Sequence, residues 1–136
     1  MMKKSNKKGF TLVELIVVIA IMAILAAVLV PTVTNKIKDA NAASQATTAE
    51  NIAKTISLYL AETENPTISD LGTKLTGAGY AQATVSTADK TISVKQKTGD
   101  SVTYTVTIEA TKAVISWTDA KNESKTLDVQ GVIAVA

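Results

Sequence analysis

The sequence predicts an α+β fold, a long N-terminal helix packed on a small antiparallel β-sheet, and three observations carry that expectation. An apolar run occupies the start of the chain, an alanine-rich stretch free of glycine and proline follows it, and beyond residue 90 the apolar residues change from helical spacing to strict alternation.

Every residue from 15 to 30 is apolar, and the segment 10–30 is interrupted only by Thr11 and Glu14. As a helix rising about 1.5 Å per residue it is roughly 30 Å long, the thickness of a bilayer's hydrocarbon core. Lys3, Lys4, Lys7 and Lys8 precede it, whereas Lys36 and Lys38 behind it are partly offset by Asp39, so the N-terminus is expected in the cytoplasm and the remainder outside. Residues 1–9 therefore read as a basic leader and residues 10–34 as the membrane helix. Residues 35–64 read as its amphipathic continuation, because alanine after alanine (Ala40, Ala42, Ala43, Ala46, Ala49, Ala53) favours helix. Ile52, Ile56, Tyr59 and Leu60 share one stripe of that helix and must face a partner surface. Pro31 lacks an N–H and crowds the preceding turn, so a kink or local loosening is expected there, and Asn65-Pro66 should stop the helix.

Residues 65–90 read as a connecting loop region with a short helix near residues 69–75, capped by Ser69, and a flexible Gly77-Ala78-Gly79. Residues 91–136 read as the sheet of a globular head. Ile92 and Val94 alternate with polar residues, as do Val102, Tyr104, Val106 and Ile108 after Thr98-Gly99-Asp100, which predicts a hairpin. Ala113, Ile115 and Trp117 give a third strand, and Leu127 and Val129 a fourth before the apolar residues 132–136. An antiparallel meander with one dry face needs a cover, and the Ile52 to Leu60 stripe is long enough to supply it. Trp117 is expected as a core anchor.

Composition narrows the function. The 136 residues include no cysteine and no histidine, which excludes a disulfide framework, a thiolate metal site and Ser/His/Asp or Cys/His triads. No catalytic residue, metal ligand or cofactor is assigned, and the chain is not expected to be an enzyme. The carboxylates Asp119 and Glu123 read as parts of a solvated, lysine-rich turn. The net charge of +2 includes the four leader lysines, without which ten lysines face twelve carboxylates. With no arginine and scattered lysines, nothing in the sequence supports binding to DNA or to a host surface.

The segment Lys7-Lys8-Gly9-Phe10-Thr11-Leu12-Val13-Glu14-Leu15 resembles the processing and assembly signature of type IV pilins and the related pseudopilins. The resemblance covers about the first quarter of the chain and is highly specific there. The sheet agrees with a pilin-like fold in outline, and the missing cysteines resemble pilins of Gram-positive bacteria. It implies cleavage between Gly9 and Phe10 by a prepilin peptidase, N-methylation of Phe10, and subunit assembly involving Phe10 and Glu14. It further implies a cytoplasmic-membrane precursor that becomes an extracellular surface filament, a helical homo-oligomer built with an assembly ATPase, platform machinery and other minor pilins. Major pilin, minor pilin and pseudopilin of a secretion or DNA-uptake system share this motif.

Physics gives the same residues roles. A carboxylate within a membrane span costs about 2.5–3.5 kcal/mol at mid-bilayer and less near its end, so Glu14 needs a partner. Cleavage after Gly9 creates one, the cationic amine of Phe10 one helical turn away. The plainer reading is that Glu14 serves the positive end of its own helix dipole. Two rival functions remain: an ordinary signal peptide cut at Ala40-Asn41-Ala42, and a membrane-anchored binding module, for which Glu14 has no use.

Overall fold

The computed structural model describes residues 9–131; the four leader lysines and the apolar residues 132–136 lie outside the described residues. The order is α1 (Leu12–Glu62), α2 (Ile68–Gly77), β1 (Ala81–Ser86), β2 (Thr91–Lys95), β3 (Tyr104–Ile108), β4 (Lys112–Thr118) and β5 (Ser124–Gln130). Two compact units divide the chain, one ending at Ile37 and one beginning at Lys38.

The first unit is the apolar part of α1. Leu12, Ile24, Val28 and Leu29 are each more than half exposed, and an 18-residue window reaches a mean hydropathy of 3.1 with none of it buried within the chain. Pro31 lies inside the helix. It gives the Ala27 carbonyl no i+4 donor, and the hydroxyls of Thr32 and Thr34 donate to the carbonyls of Val28 and Val30 at 3.0 and 2.9 Å.

In the second unit the strands follow one another in space, β1-β2-β3-β4-β5, each pair antiparallel. The alternation sets the dry face: Ile92 and Val94, Tyr104, Val106 and Ile108, and Ala113, Ile115 and Trp117 all point one way and are buried. Ala49, Ile52, Ile56 and Tyr59 of α1 and Ile68, Leu71 and Leu75 of α2 complete this core, with Leu60 half-buried at its margin. On the other face the register lines up hydroxyl residues across all five strands, Thr84, Ser93, Thr105, Ser116 and Thr126. Trp117 sits in the core as expected, its ring centroid 5.9 Å from that of Tyr104.

Three local expectations are corrected. The cap of α2 is Thr67, whose hydroxyl accepts the Asp70 N–H at 3.1 Å, and not Ser69, which lies within the helix. Tyr59 explains why: its hydroxyl accepts the Thr67 N–H at 3.0 Å and donates to the Thr67 carbonyl at 3.3 Å, pinning that residue where the helix starts. Residues 81–86, expected within a connecting loop, form β1, paired to β2 through an irregular register between Ala81 and Thr84. Asp119 is not solvated. It is 6% exposed, and its Oδ1 accepts the N–H groups of Lys121 and Glu123 at 2.8 and 3.0 Å, fixing the β4–β5 turn.

That turn grips α1. Lys121 pairs with Asp39 at 2.6 Å, and the Ala120 N–H donates to Gln45 Oε1 at 2.8 Å. Tyr104 adds a bond from its hydroxyl to the Gln45 carbonyl at 3.2 Å. The hydrogen bonds from Glu123 and Lys121, against the cost of burial, hold the Asp119 carboxyl below the usual aspartate value, with Lys125 and Lys121 assisting.

Candidate functional site

The site lies at the start of α1. Gly9 and Phe10 are exposed and precede the helix, Phe10 with 94% of its surface open. Thr11 is the capping residue: its carbonyl accepts the first helical bond from the Leu15 N–H at 3.2 Å, and its hydroxyl accepts the Glu14 N–H at 3.2 Å. Glu14 reciprocates, Oε2 accepting the Thr11 N–H at 3.0 Å. Thr11-Leu12-Val13-Glu14 is thus a capping box, in which two backbone donors that a helix start leaves unsatisfied are met by side chains.

The capping box explains why a carboxylate is tolerated at the mouth of so apolar a helix. Its charge sits in the first turn, against backbone N–H groups and the positive end of the helix dipole. Of the two roles expected for Glu14, the local one is therefore present before any cleavage. While Gly9 is attached, the Phe10 nitrogen is a neutral amide; once Gly9 is removed it becomes a cation adjoining the residue whose N–H the carboxylate already holds. Thr11 is the residue that sequence reasoning missed, although the Thr-x-x-Glu spacing before an apolar run was there to be read.

The rival cleavage site Ala40-Asn41-Ala42 falls inside α1, between Asp39, paired with Lys121, and Gln45, bonded to Ala120. A cut there would sever the part of the helix that the head grips. Among the described residues, no group of three or more acidic side chains is placed to hold a metal ion. The carboxylates at Asp119 and Glu123 belong to the β4–β5 turn, where Asp119 is spent on backbone N–H groups.

Comparison with known proteins agrees with the geometry. The family model for the prokaryotic N-terminal methylation motif matches residues 4–30. The type IV wide pilus major component PilA4 of Thermus thermophilus is 64% identical over 36 residues, which is 26% of this chain and 28% of that protein. The match therefore spans little more than a quarter of the relative's length. No solved structure matches the chain. Over its first quarter the chain, with an N-terminal methylation motif on a long exposed apolar helix, is thus similar to type IV pilins, and the described head carries a five-stranded antiparallel sheet.

Proposed function

We propose that the chain is a structural subunit of a type IV pilus-like surface filament. It is inserted as a single-pass precursor in the cytoplasmic membrane, cut between Gly9 and Phe10 by a prepilin peptidase, methylated on the Phe10 amine and polymerised through α1. The observation that carries this reading is the capped carboxylate of Glu14 one turn into a fully exposed apolar helix, immediately after Gly9-Phe10. An anchor that merely crosses the membrane needs no charge at that place, whereas a subunit leaving the bilayer for a helical bundle needs a partner for each amine it buries.

The remaining roles follow from this reading. An assembly ATPase, a membrane platform and minor pilins are the partners such a subunit requires. Pro31 acts as a joint: its missing N–H, which the Ala27 carbonyl would otherwise accept, and the back-bonded hydroxyls of Thr32 and Thr34 lower the resistance of α1 to bending there. The test is mass spectrometry of filaments sheared from the source cell. The mature chain is expected to begin at Phe10 with a methylated amine; a terminus at Ala43 would sink the proposal in favour of a secreted soluble domain.

A further inference from the structure

The grip of the head on α1 changes in kind along the helix. From Thr48 onward one side of α1 is buried in the core through Ala49, Ile52, Ile56 and Tyr59. From Lys38 to Thr47 no side chain is fully buried; Ala42, Gln45 and Ala46 are half-buried, and of these Ala46 packs against the core. Polar contacts hold this stretch instead. Lys121 pairs with Asp39 at 2.6 Å, both side chains being close to half exposed, and Gln45 receives the Ala120 N–H on its Oε1 at 2.8 Å and the Tyr104 hydroxyl on its carbonyl at 3.2 Å. Two of the three contacts come from the β4–β5 turn, whose shape is set by Asp119 through the Lys121 and Glu123 N–H groups, without help from α1. The turn therefore keeps its form when α1 lets go. Water has room on both sides of the stretch. One cleft of about 180 Å³ is bordered by Asn41, Ser44 and Gln45 against Asp100 and Ser101, and another of about 570 Å³ by Asn41 and Gln45 against Thr103, Thr118 and Asn122.

We propose that residues 38–47 of α1 are closed on the head by a polar latch, made by Asp39 and Gln45 with Lys121, Ala120 and Tyr104, which opens while the apolar core stays intact. An exposed ion pair and two hydrogen bonds that water can replace are weak beside four buried side chains, so the two halves of the grip give way separately. Opening moves the point at which the helix leaves the head from Lys38 to Thr48. At 1.5 Å per residue that frees roughly 15 Å of helix. A subunit that passes from a bilayer into a helical bundle gains from it a second place, beyond Pro31, at which α1 can take a new direction. This use rests on the filament reading above; the latch itself does not.

The absence of cysteine allows paired spin labels to be placed cleanly on the full chain in detergent micelles. Labels on Ala43→Cys and Ser124→Cys, both exposed, span the latch, and labels on Lys54→Cys and Gln130→Cys span the contact of α1 with β5 farther along. Pulsed electron spin resonance should give the first pair two distances, and raising sodium chloride from about 0.05 to about 1 M should enlarge the longer population by screening the Asp39–Lys121 pair. Lys121→Ala combined with Gln45→Ala should enlarge it at least fivefold. The second pair should keep one distance throughout, and the Ala120 N–H should exchange with solvent at least tenfold faster than those of β3 and β4. A single short distance for the first pair that neither salt nor the double substitution changes overturns the proposal, as does a second pair that lengthens in step with the first, which would make the opening ordinary unfolding of the head. Neither result touches the filament reading, whose own failure would show as filaments that lack this chain.

Discussion

Ile56 and Leu58 sit two positions apart on one helix, and the structure assigns them opposite energetics. Ile56 is fully buried against the sheet and Leu58 is 55% exposed. Ile56→Ala removes three buried carbons, worth about 0.8 kcal/mol each in transfer, and the unfilled cavity adds to that, so the loss should be about 3–4 kcal/mol. For a domain of this size such a loss lowers Tm by roughly 12–30 °C. Leu58→Ala, a surface change, should fall within about 0.5 kcal/mol of the parent. The assay is urea unfolding of the fragment 35–136 followed by circular dichroism. Equal costs for the two substitutions would refute the claim that the distal half of α1 is part of the head's core. The same claim expects the fragment 35–136 to be soluble and folded, and a fragment starting at Glu62 to aggregate because the dry face is bare.

Two further predictions concern the head. A side chain at Gly72 would overlap the Val85 methyl where α2 packs on β1, so Gly72→Ala should cost about 1–2 kcal/mol net of its helix-propensity gain, and Val85→Ala should rescue it in a double-variant unfolding cycle. Because the Asp119 carboxyl is held below its usual value, its contribution is present above the unfolded value of about 3.9 and is lost as pH falls through the lower folded value. Asp119→Asn keeps an oxygen for the Lys121 and Glu123 N–H groups but has no charge to lose, so its stability should fall less steeply in acid; parallel curves for the two proteins would contradict the assignment.

Legibility from sequence followed the strength of each physical signal. The long helix and strands β2 to β5 were readable because Ile, Val, Tyr and Trp recur at fixed periods and leave one solution for burial. Strand β1 was not, since Ala81-Gln82-Ala83-Thr84-Val85-Ser86 holds only two adjacent strand formers, Thr84 and Val85, and pairs through a register irregularity. Its place comes from the β2 edge it completes and from the close approach of Gly72 in α2, neither of which shows in local composition. Ser69 was a reasonable cap by residue type, but Thr67 is fixed by Tyr59, eight residues upstream. Asp119 was misread for a related reason: the turn it organises is held against α1 by Gln45 and Asp39, far away in sequence. At the candidate site Gly9, Phe10 and Glu14 stood out through their spacing, and the role of Thr11 was legible in the same four residues that gave Glu14 its meaning.

The central claim is that Glu14 supplies the countercharge that lets a Phe10 amine enter an apolar bundle, and Glu14→Val tests it most directly. The substitution leaves the apolar run, Gly9 and the leader lysines in place, so insertion and leader cleavage should proceed. It also removes half of the capping box, a cost of about 1 kcal/mol at the helix start, too small to prevent folding of the head. An unpaired buried ion costs several kcal/mol, about 3–5 by comparison with broken buried ion pairs, and that cost falls on every incoming subunit. In cells producing only Glu14→Val, the account predicts cleaved subunit in the membrane fraction with few or no sheared surface filaments; a normal filament yield from cleaved subunits would contradict it.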